Sequence, residues 1–364
     1  MPITLKDIAD RTGVSPSVVS TVLSGRDNGT FVSKETRERV LHVAQELNYI
    51  PVRSGRPRGS RRLRRQRVEQ FIGVWTPELD TQAALNVQAL QKALHVYCTQ
   101  HGPTPGEDFD YGIRLISDTD LPRLDMLGVM GLIVVGDTVL PRIAAAATTP
   151  TVLLGEADDT PREMVAVHMD NFSGGRAIGD YLWKLGHRRV AFVAPSAKPR
   201  ARVTRQRWQG IQSVWVDQGT PTDWCVPAPY DTFRNLSLKE QVQKMVTALL
   251  NPTDPEAAIT AIVCFNEAVA TYVIQSLTAA GKRVPVDVSV AAFGDTPGGS
   301  EALSPALTTV RAPMVQLATT AIAQLYALHR EAEEERSYGL GDHRRDIAYP
   351  GELVIRSSCG PVAD

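Results

Sequence analysis

The side chains best suited to chemistry in this 364-residue chain are arginines gathered towards its amino end. A guanidinium group is always charged and pairs with phosphate oxygens through two parallel N–H groups. Residues 1–67 carry fourteen Lys and Arg against six Asp and Glu, although the whole chain has a net charge of −1. A basic head on an acidic body indicates a polyanion bound at one end only. Eight of the arginines lie between Pro51 and Phe71: Arg53, Arg56, Arg58, Arg61, Arg62, Arg64, Arg65 and Arg67.

A helix-turn-helix pattern precedes these arginines. Thr4 and Asp7 have the spacing of a capping box, in which side chains satisfy free backbone N–H groups of the first turn. Gly13 is placed to end this helix, because the turn that follows favours a positive φ. One face of the predicted helix carries small or apolar residues: Leu5, Ile8, Ala9 and Thr12.

A second helix is predicted from Pro16 to Leu23. Ser15 is a favoured N-cap residue, and Pro16 at the first helical position loses no hydrogen bond. A helix in this place enters the major groove of DNA. The side chains predicted to contact DNA from the pattern are Thr4, Ser15, Pro16, Ser17, Ser20 and Thr21. The alternative interpretation is an ordinary helical hairpin that caps another core.

A third amphipathic helix is predicted from Ser33, with residues 48–51 ending it at a proline. Its apolar side would close a small three-helix core. Residues 1–50 are therefore predicted to form a DNA-binding headpiece, followed by an arginine-rich hinge or linker over residues 51–70. Arg26, in the loop before the third helix, is expected to contact a phosphate.

The hinge or linker has two different halves. Glycine and proline at positions 55, 57 and 59 disfavour a helix in the first half, whereas Ser60 would cap a short helix over residues 60–65. The alternative is a disordered basic linker that binds phosphates without choosing a sequence. Both interpretations predict DNA binding that weakens strongly with salt, because each neutralised phosphate releases a counterion.

Signals for other classes of protein are missing from the sequence. The four cysteines have no CxxC or metal-ligand spacing, and the histidines do not pair with Cys or Glu at such spacing. No Gly-x-Ser-x-Gly elbow and no Gly-rich phosphate loop is present. We therefore expect no enzyme, no metal and no cofactor. Neither a signal peptide nor a membrane-spanning apolar run occurs, so we expect a soluble cytoplasmic protein.

The rest of the chain alternates short apolar runs with helical stretches. This alternation is typical of an α/β fold in which parallel sheets carry helices on both faces. Ligands in such folds bind beyond the carboxyl ends of the strands. Two lobes about a cleft are favoured over one very large sheet. The predicted strands are 71–75, 131–136, 151–154, 190–193, 261–265 and 288–293.

The chain resembles the lactose repressor (LacI/GalR) family over nearly its whole length. Residues 4–23, 32–40 and 48–51 are similar to the family's headpiece. Further similar stretches lie at 167–175, 185–193, 284–290, 307–311 and 353–358. The resemblance implies a two-lobed core like a periplasmic sugar-binding protein, with an effector between the lobes and side-by-side dimerisation. It implies an effector-responsive repressor that binds a near-palindromic double-stranded operator as a homodimer, with a sugar or sugar-phosphate-like effector.

The resemblance also assigns domain boundaries. It implies an effector-binding and dimerisation core over residues 71–364. One lobe would comprise residues 71–168 with 308–330, and the other residues 169–307 with 331–364. No heptad pattern follows Arg356, so a dimer is favoured over a tetramer.

The family uses the segment after the headpiece as a hinge helix that folds in the minor groove, where a leucine enters a base step and kinks the DNA. On that resemblance Leu63 is the inserting residue, flanked by Arg61 and Arg64, and Arg53 also contacts DNA. This sequence has roughly six extra residues before the first core strand, by comparison with the usual hinge length. The extra length changes where the hinge helix would start and therefore the expected half-site spacing.

Two candidate effector-binding residues are carried over from the family. Arg207 lies where the family has a ligand-binding arginine, and Asn266 lies where it has a ligand-binding asparagine. Each has an alternative: Arg207 would pair with a nearby acid, and Asn266 would cap the helix that it precedes.

Other positions depart from the family. Gly294 replaces one acid and Gly155 replaces another, and the aromatic residues that follow the first strand are absent, since residues 81–84 read Thr-Gln-Ala-Ala. A pocket that lacks carboxylates but keeps Arg207 would suit a less hydroxyl-rich or an anionic effector. The neighbouring acids that would substitute are Glu156, Asp158, Asp159 and Asp295.

Two rival functions remain open at this point. One is a solute-binding protein, or an enzyme, built on the same lobes. The other is a DNA-binding regulator with no functional effector site. A gel-shift series at rising salt would test the headpiece, and a thermal-shift screen of metabolites would test the cleft.

Overall fold

The three-dimensional structure is a computed structural model. The chain divides into two compact units, Met1–Arg64 and Arg65–Asp364. The structure describes residues 5–24, 32–47, 69–77, 81–101, 110–124, 127–136, 143, 149–158, 160, 164–195, 201–232, 235–252, 258–335 and 346–362.

The amino-terminal unit contains three helices among its described residues: α1 (Leu5–Thr12), α2 (Pro16–Ser24) and α3 (Lys34–Glu46). All three were predicted from periodicity and capping residues. Gly13 has φ +71°, as the predicted turn requires. The Thr12 hydroxyl donates to the carbonyl oxygen of Ile8 at 2.7 Å, so this buried polar group is satisfied inside α1. The small core comprises Ile8, Ala9, Val19, Val22, Val40 and Ala44.

The larger unit is built on two six-stranded sheets. The first sheet has the order β11-β5-β4-β3-β1-β2 and is parallel throughout. Its strands are β1 (Glu69–Trp75), β2 (Asp110–Leu115), β3 (Val129–Val135), β4 (Thr151–Leu154), β5 (Val165–Asp170) and β11 (Asp346–Pro350).

The second sheet has the order β12-β10-β9-β8-β6-β7. It is parallel except for β12, which pairs with β10 in the antiparallel sense. Its strands are β6 (Val190–Ala194), β7 (Cys225–Pro229), β8 (Ala261–Cys264), β9 (Ser289–Phe293), β10 (Thr308–Arg311) and β12 (Glu352–Val354).

Helices cover these sheets, as parallel strands require. In the first lobe, α4 (Thr81–His101) and α10 (Met314–Glu335) pack on one core. The helices of the second lobe are α5 (Asn171–Lys184), α6 (Ala201–Asp217), α7 (Leu238–Leu250), α8 (Glu267–Ala279) and the short α9 (Gly299–Ala302). No helix in the described ranges is long and apolar enough to span a membrane.

The chain passes between the lobes at three places. These are the junction of β5 with α5, residues 311–314 between β10 and α10, and Gly351 between β11 and β12. The expected lobe boundaries are therefore corrected. Residues 308–311 pair with β9 in the second sheet, and residues 346–350 pair with β5 in the first. A strand pairs with segments that are distant in the sequence, so the local composition of a short strand does not predict which sheet it joins.

All six strands predicted from apolar runs are confirmed, as β1, β3, β4, β6, β8 and β9. The missed strands are all four at sheet edges, β2, β7, β11 and β12, and the interior strands β5 and β10. β7 has the sequence Cys-Val-Pro-Ala-Pro, and prolines are tolerated at an edge because one side of the strand donates to no neighbour. Edge strands need no continuous apolar run, which explains why the pattern overlooked them.

Candidate DNA-binding and effector sites

The surface predicted to read DNA is formed by the start of α2. The backbone N–H of Val18 donates to Ser15 Oγ at 3.4 Å, so Ser15 caps the helix as predicted. The hydroxyl oxygens of Ser15 and Ser17 lie 2.8 Å apart. Ser15, Pro16, Ser17 and Ser20 are exposed, whereas Val19 on the opposite side is buried. The exposed face of α2 that is predicted to contact DNA therefore carries small hydroxyl groups.

Thr21 is an exception to the predicted set of base-reading residues. Its side chain is only 8% exposed and belongs to the buried side of the headpiece, beside Val22. Its expected role in reading bases is therefore corrected to a role in packing. Periodicity alone did not separate Thr21 from Ser20, because the two lie on adjacent faces of one short helix.

The remaining predicted DNA contacts lie outside the described residues. They are Thr4, Arg26, Arg53, Arg61, Leu63 and Arg64. The predicted capping box involves Thr4, and the predicted short hinge helix surrounds Leu63, so both features also lie outside the described residues.

Arg207, the predicted effector-binding arginine, lies on α6 at the carboxyl end of the second sheet. Its Nε donates to Asn171 Oδ1 at 2.8 Å, and its Nη1 donates to the carbonyl oxygen of Phe265 at 2.6 Å. The guanidinium carbon lies 4.7 Å and 4.3 Å from the ring centroids of Phe265 and Phe293. Two aromatic rings and two hydrogen bonds therefore fix the orientation of a cation at the place where ligands of α/β folds bind.

Close packing of α5 against α6 sets the position of this arginine. A Cβ added to Gly175 would overlap the carbonyl oxygen of Arg207, and one added to Gly210 would overlap the carbonyl oxygen of Phe172. The two helices can approach this closely only because both positions lack a side chain. Asn171, at the first position of α5, is thereby brought within reach of Arg207.

Asn171 links Arg207 to the first lobe. Its Nδ2 donates to Glu156 Oε2 at 2.8 Å and approaches the carbonyl oxygen of Met169 at 3.2 Å. Glu156 follows β4 in the first lobe and is 2% exposed, while Asn171 is 4% exposed. One buried amide thus connects a carboxylate of one lobe to the guanidinium of the other.

Glu156 has two further neighbours. Arg202 Nε lies 2.7 Å from Glu156 Oε1, and His168 Nδ1 lies 3.7 Å from Glu156 Oε2. His168 Nδ1 also lies 2.9 Å from the carbonyl oxygen of Met169, which assigns the ring proton to Nδ1. His168 is therefore hydrogen-bonded within the core, and its Nε2 is left as an acceptor.

Several buried acceptors gather at this junction. Three buried polar atoms of the described residues here have neither a hydrogen-bond partner nor an ion pair. Buried polar atoms are normally paired, so such a group points to a ligand or water. The atoms are Asp158 Oδ2, His168 Nε2 and Thr204 Oγ1, whereas Glu156 Oε1 is held by the Arg202 guanidinium.

Position 155 cannot accommodate the acidic side chain that the family often has there. It has φ +146°, and a Cβ there would overlap the carbonyl oxygen of Gly136. A side chain is therefore excluded at this position by both backbone conformation and space. Glu156, one residue later, places a carboxylate against Asn171.

Gly294 shows a related arrangement. It has φ +118°, and a Cβ there would lie 3.2 Å from Glu267 Oε2. Glu267 accepts hydrogen bonds from the backbone N–H of Thr296 at 3.0 Å and from the hydroxyls of Thr296 and Ser300. The carboxylate beside Gly294 thus holds the loop after β9.

Asn266 caps α8. Its Oδ1 accepts from the backbone N–H of Val269 at 3.0 Å, which is the alternative considered from the sequence. The cap occupies the carbonyl oxygen and leaves the amide nitrogen as the group able to donate to a ligand.

Asp295 is engaged by two arginines. It accepts from Arg311 Nε at 2.6 Å and from Arg356 Nη2 at 3.1 Å, with its side chain 4% exposed. Burial raises the pKa of Asp295, but the hydrogen bonds from Arg356 and Arg311 outweigh it and the net pKa is lowered. Its expected role as a substitute ligand carboxylate is corrected, because both oxygens already brace the second lobe.

The first lobe contributes a small cavity of about 260 Å³ at the carboxyl ends of β1 and β2. Trp75 Nε1 donates to Asp118 Oδ1 at 2.8 Å along its wall. An aromatic residue thus lies at the end of the first strand itself, six positions before Thr81, where the family's aromatic residues were expected.

Comparisons with known proteins agree with both units. Residues 4–52 match the model of the bacterial regulatory proteins of the lacI family, and residues 180–359 match that of a periplasmic binding protein-like domain. The chain has the two domains of a lacI-family regulator. With these two domains, it is a DNA-binding transcriptional regulator.

Relatives of this chain are similar over most of its length. It is 24% identical to the probable HTH-type transcriptional repressor ExuR of Bacillus subtilis, covering 91% of this chain and 93% of the relative. It is 27% identical to the lactose operon repressor of Escherichia coli, covering 90% and 85%. The lac repressor dimer bound to operator and the anti-inducer ONPF has the same fold, with a TM-score of 0.55 and 23% identity, covering 98% of this chain and 99% of that one.

The cleft also contains residues that sequence reasoning missed. Asn171 and Arg202 were not singled out, although both are polar residues close behind buried strands of parallel sheets. That placement was the available signal, since such residues meet at one edge of the sheet.

Proposed function

We propose that the chain is a cytoplasmic repressor that binds a near-palindromic operator as a homodimer and responds to a small effector held between its lobes. The observation that supports this most strongly is the buried Glu156–Asn171–Arg207 network, which joins the lobes beside the carboxyl ends of their strands. A ligand bound there would change the contacts between the lobes, and through them the spacing of the two hinge segments of a dimer.

Operator recognition follows from the side chains that α2 displays. Three serine hydroxyls and a proline offer weak direct reading of bases, and none of them makes the bidentate contact that arginine makes to guanine. Phosphate contacts and the arginine-rich hinge then carry more of the affinity. Selection of random duplexes should yield an operator with few strongly fixed positions under α2 and a centre that kinks easily.

The effector chemistry follows from the unpartnered atoms of the cleft. Asp158 Oδ2 and His168 Nε2 are acceptors without a partner, and hydroxyl or amine groups of a ligand would supply the donors. Arg207 would bind an acceptor-rich or anionic group. A sugar or a sugar phosphate combines both features, and Glu156 would replace the acid missing at position 155.

Coupling between effector and operator follows from linkage. Ordering the hinge on DNA costs conformational entropy, so a small preference of the effector for one lobe angle shifts the operator equilibrium. An inducer must bind the free protein more tightly than the operator complex, and a corepressor must do the reverse.

The test has two steps. A thermal-shift and calorimetry panel of neutral sugars, sugar phosphates and amino sugars is applied to the full-length protein, and each hit is added to a DNA-binding titration on the selected operator. We expect a hit that changes operator affinity and loses binding in Arg207→Gln. If a neutral sugar binds tightly and sugar phosphates do not, the proposal that Arg207 binds an anionic group of the effector is refuted. A hit that binds without changing operator affinity would refute the regulatory role of the cleft.

A second candidate is a regulator that binds DNA without any effector. The observation in its favour is that Glu156, Asn171, Arg202 and Arg207 already contact one another. This candidate predicts specific operator binding and no hit in the panel.

A further inference from the structure

Three contacts join the amino end of α6 in the second lobe to the first lobe. Arg202 Nε lies 2.7 Å from Glu156 Oε1, in the loop after β4. The backbone N–H of Arg202 donates to Asp158 Oδ1 at 2.8 Å. Arg202 Nη2 donates to Asp346 Oδ2 at 3.2 Å, at the start of β11. One arginine therefore contacts two separate segments of the opposite lobe.

The contact with Asp158 is unusual in its placement. Backbone N–H groups in the first turn of a helix have no acceptor within the helix, so a side chain from elsewhere must satisfy them. Here the acceptor belongs to the other lobe. The positive end of the α6 dipole lies at the same place and favours a carboxylate. Opening the lobes would leave this N–H without Asp158.

Burial makes the charged contact sensitive to separation. Glu156 is 2% exposed and the Arg202 side chain is 21% exposed. Attraction between charges is stronger and less screened by salt in such surroundings than on the surface. A buried carboxylate that loses its partner is left with an uncompensated desolvation cost. The lobes are thus held at one separation by groups that tolerate little movement.

The same carboxylate also controls the effector arginine. Glu156 Oε2 accepts from Asn171, and Asn171 accepts from Arg207 Nε. Asn171 is the first residue after β5, at one of the three places where the chain passes between the lobes. A change in lobe separation therefore moves the amide that orients Arg207.

We propose that Glu156, Asp158 and Arg202 form an interlobe latch that sets the lobe separation without effector and, through Asn171, aligns Arg207. The proposal rests on the proposed function in assigning regulation to this cleft. The latch itself is a property of the free protein. An effector that supplies donors to Glu156 and Asp158 competes with Arg202 for them and releases the latch.

The first experiment measures lobe separation in the full-length protein without DNA or effector. Spin labels are placed at Arg123→Cys in the first lobe and Gln243→Cys in the second, with Cys98→Ser, and labelled protein is diluted with unlabelled protein. Both label positions are exposed, and the other three cysteines are buried. We expect a single short distance in the parent protein and a second, longer distance in Glu156→Gln and in Arg202→Met.

A matched control removes an ion pair that lies within one lobe. Arg176 Nη2 lies 2.7 Å from Asp217 Oδ2, and both residues belong to the second lobe. Asp217→Asn should leave the distance distribution unchanged. Distributions of Glu156→Gln and Arg202→Met that superimpose on the parent would overturn the latch.

A second readout guards against a variant that fails to fold. Amide exchange at Arg202 should be slow in the parent protein and at least tenfold faster in Asp158→Ala, with exchange in β6 and β9 unchanged. Exchange at Arg202 that is equally fast in both proteins would overturn the latch. Neither measurement uses DNA or effector, so a result that overturns the latch leaves the proposed function standing. Conversely, loss of specific operator binding with an intact latch would refute only the proposed function.

Discussion

Replacing Gly155 by alanine is expected to destabilise the first lobe by about 4 kcal/mol, which combines backbone strain with overpacking. At φ +146° a residue with a Cβ occupies a region that costs about 1–3 kcal/mol. The added Cβ would also overlap the carbonyl oxygen of Gly136, so that two segments joined by the pairing of β3 with β4 must separate. Overpacking of this kind costs about 1–3 kcal/mol more.

Gly219→Ala is the matched control for Gly155→Ala. Gly219 also has a positive φ, +64°, but a Cβ there meets no atom within 4 Å. Only the left-handed strain remains, about 1–2 kcal/mol. The difference between the two variants therefore isolates the steric overlap at Gly155.

Urea unfolding followed by tryptophan fluorescence measures this difference. All five tryptophans lie between positions 75 and 224, so the signal reports the larger unit and not the headpiece. Trp75 lies in the first lobe and is 2% exposed. If Gly155→Ala unfolds at the same urea midpoint as Gly219→Ala with an unchanged slope, the steric reason for the missing acid at 155 is refuted.

Three further outcomes are expected. Burial lowers the pKa of His187 from 6.5, so the folded chain binds fewer protons than the unfolded chain, and stability should fall as pH drops below about 6.5. Melting scans from pH 8 to 5 should show a smaller fall in melting temperature in His187→Gln than in the parent protein. Equal falls would contradict the assignment. Ser20→Ala should weaken operator affinity by about 1 kcal/mol, a typical hydrogen-bond contribution. Thr21→Val should leave the base preference unchanged in a selection of random duplexes. A changed preference would place Thr21 at the DNA. Arg207→Lys should weaken effector binding at least tenfold in calorimetry, because lysine cannot reproduce the paired hydrogen bonds to Asn171 and Phe265 that orient the guanidinium. Equal affinity would exclude Arg207 from the site.

Local signals were sufficient where short-range physics decides the structure. The three headpiece helices followed from a periodic apolar face, a serine cap before Pro16 and a glycine at φ +71°. The six central strands followed from continuous apolar runs, which strands buried on both faces need. The lobe to which β10 and β11 belong did not follow, because pairing with β9 and β5 joins segments distant in the sequence.

The candidate effector site was predicted only in part. Arg207 and Glu156 were named, and both lie in the interlobe network. Asn171 and Arg202 were missed, because many polar residues follow strands of parallel sheets and only the contacts across the cleft distinguish these two. Asp295 was expected in the site, but two arginines that follow it by 16 and 61 positions engage it instead.

Control of operator binding by a ligand in the cleft is the central proposal. Its most direct test is a fluorescence-anisotropy titration of full-length protein on its selected operator and on a scrambled duplex, with salt raised from 50 to 200 mM, repeated with each ligand that binds the cleft. We predict a clear preference for the operator, an affinity that falls by about 10³-fold or more over this salt range because several phosphates are neutralised, and a further change in operator affinity with one cleft ligand. Equal binding to both duplexes at 50 mM salt, with and without every ligand, would contradict the account.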